Sequence, residues 1–436
     1  MGNSGGSKIF QTVLLFVFLL AGIGALFLFS LGSSKSGSGQ GEVSVWGSMS
    51  EAAFQPIMDA QLIKDKKLVI TYRRIDDNQL ASKLLEAIAS GTSPDIVILP
   101  QQDIWNFKNK VTLFPYTAFP ERTFRDTFIQ GTEFLLEQQG ILGYPFTVDP
   151  LVLYWNRDMF DTAGISQAPP TWEDVANDIP LLLKKLPDNS VTQGAIAMGN
   201  FYNVTHAKDI LSALWLQSNV TITSYDKINN QLLSVLKGPL TQDGAEHEAA
   251  SFFTSFADPF STAYSWNASL PQSKNMFIGN GLAMYIGYAS EIEEIRTKNP
   301  NLNFDIALMP QLKTAQTKIT YGQFKSLIVP KGAPNTAGAY ALVSTMIDPT
   351  VQRNIQSSML FPPVRRDMFS ASETTDPYYA LIYASALISR TWIDPSPLKT
   401  NEIFKGMVSN IQEKIYSPHE SVSQARDLLQ NAINQQ

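Results

Sequence analysis

Tyr144-Pro145-Phe146-Thr147-Val148-Asp149-Pro150-Leu151-Val152-Leu153-Tyr154-Trp155-Asn156-Arg157-Asp158-Met159-Phe160-Asp161-Thr162-Ala163-Gly164-Ile165 is followed after three residues by Pro169-Pro170-Thr171-Trp172-Glu173-Asp174-Val175, and this stretch decides the fold. Val148 to Trp155 reads as a strand with a carboxylate, Asp149, at its mouth. Arg157 to Ala163 is a short amphipathic helix that ends at Gly164, where glycine takes the left-handed cap. Pro169-Pro170 stops the chain. Thr171, with Asp174 three residues on, reads as the N-cap of a helix running to about Leu186.

Upstream the same alternation appears. Val43 to Trp46 is strand-like and Met49 to about Ala60 helical. Leu68 to Tyr72 is a second strand. Asn78 to Ala89 places Leu80, Leu84, Leu85 and Ile88 near helical spacing, and Gly91 closes it. Ile96 to Leu99 is a continuous apolar run of the kind buried in parallel sheets. Strand–helix–strand repeats argue for a doubly wound α/β lobe. Extended structure from Ile141 to Trp155 is expected to be interrupted at Pro145 and Pro150. Trp172 to about Phe256 reads as mostly helical, broken by a strand near Ala195 to Met198. Strands return at Leu282 to Ile286, Phe304 to Met309 and Ile319 to Val329, and helices dominate from Asn335 onward. That order predicts two discontinuous lobes with crossings near residues 149, 279 and 327.

At 436 residues the chain is too long for one ordinary core. Apolar residues make up 44% and charged residues only 17%, with 25 Phe, 15 Tyr and 7 Trp, enough to fill large cores and leave aromatics for a cleft. The net charge of −6 argues against nucleic acid, which needs a basic face for its phosphates. The chain has no cysteine, so disulfides, thiolate metal sites, cysteine nucleophiles and a lipidated N-terminal cysteine are excluded.

Ile9 to Leu31 is 23 residues without a charge. As a helix it spans roughly 30 Å, a bilayer core, whereas a cleavable signal peptide has an apolar region of only about 7 to 15 residues. An uncleaved transmembrane anchor is therefore expected at 9–31, behind a cytoplasmic stub at 1–8, with the bulk of the chain outside the cytoplasm. Residues 32–41 form a Gly/Ser linker with a reach of roughly 15–20 Å.

Further stretches, in order and spacing, resemble the extracellular solute-binding proteins of ABC importers, the sugar-binding family of which maltose-binding protein is the familiar member. Beside the Tyr144–Val175 stretch these are Ser90-Gly91-Thr92-Ser93-Pro94-Asp95-Ile96-Val97, Phe277-Ile278-Gly279-Asn280-Gly281-Leu282-Ala283-Met284, Ala337 to Ile347 after Pro330-Lys331-Gly332, and Ser417-Pro418 through Ala425. The resemblance implies a two-lobed α/β fold of the periplasmic-binding-protein type (type II) with a hinge, behind the one N-terminal transmembrane helix. Lobe I is expected at 42–148 and 280–326, and lobe II at 149–279 and 327–436. It further implies a receptor that closes on a small solute, carbohydrate above all, and hands it to ABC transporter permease subunits, with a monomeric ectodomain.

In α/β lobes ligands lie beyond the carboxyl ends of strands. Sugars offer hydroxyls to amides and carboxylates and C–H faces to rings. The candidate ligand-binding residues are accordingly Ser48, Ser50 and Glu51 after the first strand, and Gln101 and Gln102 after the Ile96 strand. Asp149, Tyr202, Trp266, Tyr288, Glu291 and, on the Ile319 strand, Gln323 complete the set. Where the family commonly carries Gly-x-Trp, this chain has Gly287-Tyr288-Ala289-Ser290-Glu291, a more polar contact. Arg73, Arg74, Lys325, Arg365 and Arg366 would suit an anionic solute if they faced the cleft.

No catalytic residue, cofactor or metal site is expected. His206, His247 and His419 are scattered, without metal-ligand spacing. Ser-x-x-Lys occurs at Ser224, Ser234 and Ser396 without partner motifs. The remaining enzymatic alternative is an anchored glycan hydrolase drawing a carboxylate pair from Asp76, Asp77, Asp149, Glu291 and Glu294, since such a pair needs two carboxyls about 5 to 9.5 Å apart. A ligand-sensing subunit of a membrane signalling complex would use the same fold.

Overall fold

The computed structural model describes residues 41–64, 67–358, 361–368 and 377–435. The expected stub and anchor, and all of the linker but Gly41, lie outside the described residues. Among the described residues no helix is long and apolar enough to cross a membrane.

Tyr144–Asn156 is one unbroken strand of 13 residues, buried everywhere except partly at Asp149 and Trp155. Pro145 and Pro150 do not interrupt it, contrary to expectation. Pro150 lies opposite Gly322, and Pro145 opposite Ser326 at a register shift, where an irregular ladder tolerates the missing N–H. The first half of the strand pairs antiparallel with Thr320–Ile328, Val148 facing Phe324. Its second half pairs with Leu282–Tyr288 and Phe304–Leu308, Tyr154 facing Tyr285 and Ile306.

Through this strand two half-sheets join. On one side the order is Leu68–Arg74, Gly41–Gly47, Ile96–Pro100, Thr320–Ile328, the first three parallel. The helices Glu51–Lys64 and Asp77–Ser90 make the crossovers between them. On the other side lie Leu282–Tyr288, Val191–Ile196 and Lys184–Lys185. Each half buries its own core. One gathers Val43 to Val148 with Phe324 to Val364; the other gathers Leu151 to Tyr321 with Ile382, Trp392 and Phe404 to Leu429. The expected lobe boundaries are thus corrected at two places. The strands of 280–321 pack with 151–279 rather than with lobe I, and residues 327–364 pack with lobe I rather than with lobe II. Nothing crosses near 279, because Phe277 and Leu282 sit in one core. The second crossing is the Thr320–Ile328 strand, whose two ends contribute Tyr321 to one core and Phe324 to the other.

Local signals place the elements around the hinge. Gly164 adopts φ 73° after helix Arg157–Thr162. Thr171 Oγ1 accepts the Asp174 N–H at 3.2 Å, opening helix Trp172–Leu182, which stops short of Leu186 so that Lys184–Lys185 can join the sheet. Ser417 and Glu420 form a full capping box on the last helix. The helical reading of 172–256 missed a hairpin, Thr221–Asp226 with Gln231–Lys237. Its β-branched Thr221-Ile222-Thr223 and the turn residues between its strands were the available signal.

Gly143 precedes the shared strand where a Cβ would meet Leu327 O at 2.5 Å and Ile328 Cγ2 at 2.9 Å. Gly143→Ala should therefore lower the urea midpoint, by about 1–3 kcal/mol in stability, the usual cost of overpacking. An unchanged midpoint would mean that the two hinge strands can separate locally without loss.

Candidate functional site: an interlobe cleft

Between the two half-sheets, on the face presented by Tyr321, Gln323 and Lys325, lies a cleft of about 540 Å³. Alternate residues of a strand point to one side, which is why these three line it together. The first lobe supplies Asp77, Gln101 and Gln102; the second supplies Phe201, His206, Lys208, Asp209, Trp392 and Asp394.

Two ion pairs furnish the cleft, one from each lobe. Lys325 Nζ lies 2.7 Å from Asp77 Oδ2 and donates to Ser48 Oγ at 2.6 Å. Lys208 Nζ lies 2.5 Å from Asp394 Oδ2, and Thr400 Oγ1 donates to the same carboxylate at 2.8 Å. Asp77 Oδ1 is buried with no partner among the described residues, so it remains an acceptor in want of a donor. Gln101 bridges the hinge strand, donating to the Tyr321 hydroxyl and accepting from Phe324 N–H, both at 3.0 Å. It stands, with Gln102, in the first turn of helix Gln101–Phe107, directly after the Ile96 strand.

Around this lining runs a buried polar network. Tyr288 donates its hydroxyl to Asp209 Oδ2 at 2.7 Å. Glu291 lies 2.6 Å from His206 Nε2 and accepts from the Tyr285 hydroxyl at 2.7 Å. Asp149 Oδ1 accepts the Ser290 N–H at 3.1 Å. Burial pushes the Asp149 carboxyl up to about 6, against the lowering effect of that hydrogen bond. Asp209 is raised by burial too, although Tyr288 holds it down. On the first lobe Asp103 is raised to about 6, by burial first and then by the charges of Asp77 and Asp394.

Of the candidate residues, Gln101, Gln102 and Gln323 line the cleft, and Ser48 reaches it through Lys325. Asp149, Tyr288 and Glu291 are not in the lining: Tyr288 and Glu291 bond to Asp209 and His206, which are, and Asp149 lies opposite Gln323 in the ladder. Ser50 is spent on a turn, its Oγ accepting Ala53 N–H at 3.2 Å, and Glu51 is exposed in the first turn of its helix. Tyr202 is 73% exposed and outside the lining, which its neighbour Phe201 joins instead. Trp266 is corrected. It is fully buried, donates to Asn203 Oδ1 at 2.8 Å and has no free face for a sugar.

Of the five cations considered for an anionic solute only Lys325 lines the cleft. Arg74 faces Asp76, Arg365 binds Asp367 and Arg366 binds the Phe128 carbonyl. The reading missed Trp392 and Asp394, which follow a short strand, Ser389–Arg390, inside a segment expected to be dominated by helices. It also missed Lys208 and Asp209, which open helix Ala207–Gln217 after His206 in the left-handed conformation at φ 62°.

The sequence profile of a family described as bacterial extracellular solute-binding protein matches residues 46–353. A Brucella abortus (strain 2308) relative named as a binding protein is 20% identical over 351 residues, 80% of this chain and 81% of that one. The GacH receptor of Streptomyces glaucescens, solved unliganded and with acarbose, is 17% identical with a TM-score of 0.66, covering 91% of this chain and 99% of that one. A cyclo/maltodextrin-binding protein complexed with maltotetraose is 13% identical with a TM-score of 0.73, covering 91% and 98%. At these identities the likeness of the two structures is one of fold.

The raised carboxyl of Asp149 has a consequence for stability. A folded-state pKa near 6, above the ordinary 3.8, means the folded protein holds the proton more tightly than the unfolded chain. This group therefore costs stability as pH rises from about 4 to 6. Asp149→Asn should stabilise the protein by about 1–2 kcal/mol at neutral pH, a discounted conversion of the shift, and by nothing near pH 4. Thermal melts of both proteins across that range check it, and a constant difference would show that the carboxyl is not perturbed.

Proposed function

The chain belongs to the bacterial extracellular solute-binding proteins, and from that premise we propose that it captures a carbohydrate in the interlobe cleft and delivers it to the permease of an ABC importer. The observation that carries this reading is the furnishing of the cleft. It holds amides from Gln101, Gln102 and Gln323, carboxylates from Asp77, Asp209 and Asp394, lysines 208 and 325, and the rings of Phe201, Tyr321 and Trp392. Fans of hydroxyls are met by acceptors and donors in alternation, and sugar C–H faces by aromatic carbon. The acarbose and maltotetraose held by the two structural relatives support the same chemistry.

Lobe closure about the two shared strands would trap the solute, a hinge movement in which nothing is transformed. Asp149, Tyr288 and Glu291 act by holding Ser290, Asp209 and His206 in place. The 9–31 segment tethers the receptor to the membrane, with the lobes on the extracytoplasmic side.

The arrangement gives the hydrolase alternative little support. Of the five carboxylates weighed for it, only Asp77 lines the cleft. Asp394 is held by Lys208 and Thr400, and Asp209 by Tyr288, so each carboxylate is committed to a fixed hydrogen bond.

A thermal-shift screen against mono-, di- and oligosaccharides, sugar phosphates, polyamines and amino acids tests the reading. A solute at 100 times its dissociation constant adds about 2.7 kcal/mol of stability. The expected result is a shift with a saccharide recovered unchanged; a saccharide consumed would revive the hydrolase, and a shift with another class would replace the carbohydrate. Trp392→Ala should weaken binding of the same solute roughly 10-fold or more, as loss of a buried aromatic contact does, with isothermal titration as the measure.

A further inference from the structure

The hairpin of 221–237 is rooted in the second lobe. Ile222 and Leu236 enter that core, and the last helix grips it through Gln430 Oε1 on Ser234 N–H at 2.8 Å. Its tip reaches the first lobe. There the Tyr225 hydroxyl is in contact with the Lys108 ammonium, 3.1 Å from Glu137 Oε2 and 2.8 Å from Asn230 Oδ1. Lys108 also donates to Asn230 Oδ1 at 2.8 Å and lies 3.3 Å from Glu137 Oε1. Lys227 donates to the Leu136 carbonyl at 2.7 Å, and the Trp105 ring meets the Tyr225 ring edge-on, centroids 5.2 Å apart. The side chains of Lys108 and Glu137 are only 10% and 11% exposed. The hairpin thus shields an ion pair of the first lobe, and withdrawing it would break these hydrogen bonds and re-expose the pair.

Beside this contact, at Gln101 and Trp392, the cleft meets a much smaller space. This space, a neck of about 10 Å³, shares lining residues both with the cleft and with a second cavity of about 510 Å³. Ile104, Trp105 and Phe134 from the first lobe close on Trp392 and Ile393 from the second. Gln101 and Trp392 belong both to the neck and to the cleft, while Glu137 and Leu142 belong both to the neck and to the second cavity. A space of that size is at the lower limit for a single water, so no sugar ring passes. The second cavity is polar at its rim, with Asn109, Gln138, Gln139 and Asn230.

We propose that the 221–237 hairpin is a clasp between the lobes, with Tyr225 its key residue, and that the Trp105–Trp392 neck it holds shut sets the length of saccharide the cleft accepts. This rests on the carbohydrate reading of the cleft. A saccharide that ends at the neck fits the clasped protein. A chain extending from the cleft toward the second cavity would have to thread the neck, and that direction is closed while Tyr225 remains docked. Because the clasp contacts involve no solute, they favour the closed arrangement before any solute arrives and raise apparent affinity by the fraction of protein already closed.

The absence of cysteine gives a clean experiment on the full chain. Spin labels at Glu86→Cys in the first lobe and Gln424→Cys in the second, both on exposed helical positions, report the lobe-to-lobe distance. Without solute, one narrow short distance is expected, and Tyr225→Ala should broaden it toward longer values. An identical distribution in both proteins overturns the clasp. In parallel, thermal shifts with maltooligosaccharides and mannooligosaccharides from the disaccharide to the heptasaccharide read the length limit. The unaltered protein should respond to short members and lose response beyond a fixed length. Tyr225→Ala should bind the short ones about 5-fold more weakly, the penalty of a less populated closed state, and gain response to the long ones. Ile393→Ala, which lines the neck and takes no part in the clasp contacts through its side chain, should extend the accepted length with the lobe distance unchanged. A length profile identical in all three proteins overturns the neck. Should no saccharide bind any of them, the carbohydrate reading and the length limit fail together, and the spin-label distances still decide the clasp.

Discussion

The backbone pairing of Tyr144–Asn156 with Thr320–Ile328 is the constraint on which the rest of the molecule depends. Two strands serve two cores at once. Val148 and Phe324 are packed in the first, Leu151 and Tyr321 in the second. Buried backbone polar groups must be paired, so a chain crossing between lobes is safest when it remains a strand in a ladder throughout. Here the crossing continues the sheet as a hydrogen-bonded spine between the lobes. The proline at 150 and the register shift near Ser326 fall on this spine. Irregular pairing there increases local twist.

The same spine presents the site. Tyr321, Gln323 and Lys325 face the cleft because strand side chains alternate, and Gln101 ties the first lobe to them by two hydrogen bonds. Around them the polar network of Asp149, Tyr288, Glu291 and His206 carries costs of its own, visible in the raised carboxyl of Asp149. Buried polar networks of this kind specify one arrangement of side chains more than they add stability. At the far end of the cleft the hairpin contacts give the lobes a second point of attachment, so the closed arrangement is held at the hinge and at the clasp.

Much of the architecture was legible from local signals. Gly91, Gly164, Thr171 and Ser417 mark helix ends by conformational preference and side-chain capping, effects that act within a few residues. The continuous apolar run of Ile96 to Leu99 marks a buried strand for a similarly local reason. The hairpin of 221–237 was less legible, because its alternation is short and its inward residues are only Ile222, Leu232 and Leu236. Lobe membership failed at 280–321 and 327–364, since which half-sheet a strand joins depends on partners more than 100 residues away in sequence.

The site divides along the same line. The sequence alone determined the family likeness, the strand-end positions of Gln101, Gln102 and Gln323, and the absence of cysteine chemistry, each a property of residue type and spacing. Only the tertiary structure decided that Trp266 is core while Trp392 lines the cleft, that Lys325 faces Asp77, and that Asp149 accepts the Ser290 N–H outside the lining. Burial and partner choice are sums over contacts from the whole chain, so two tryptophans of one sequence can differ completely in what surrounds them in space.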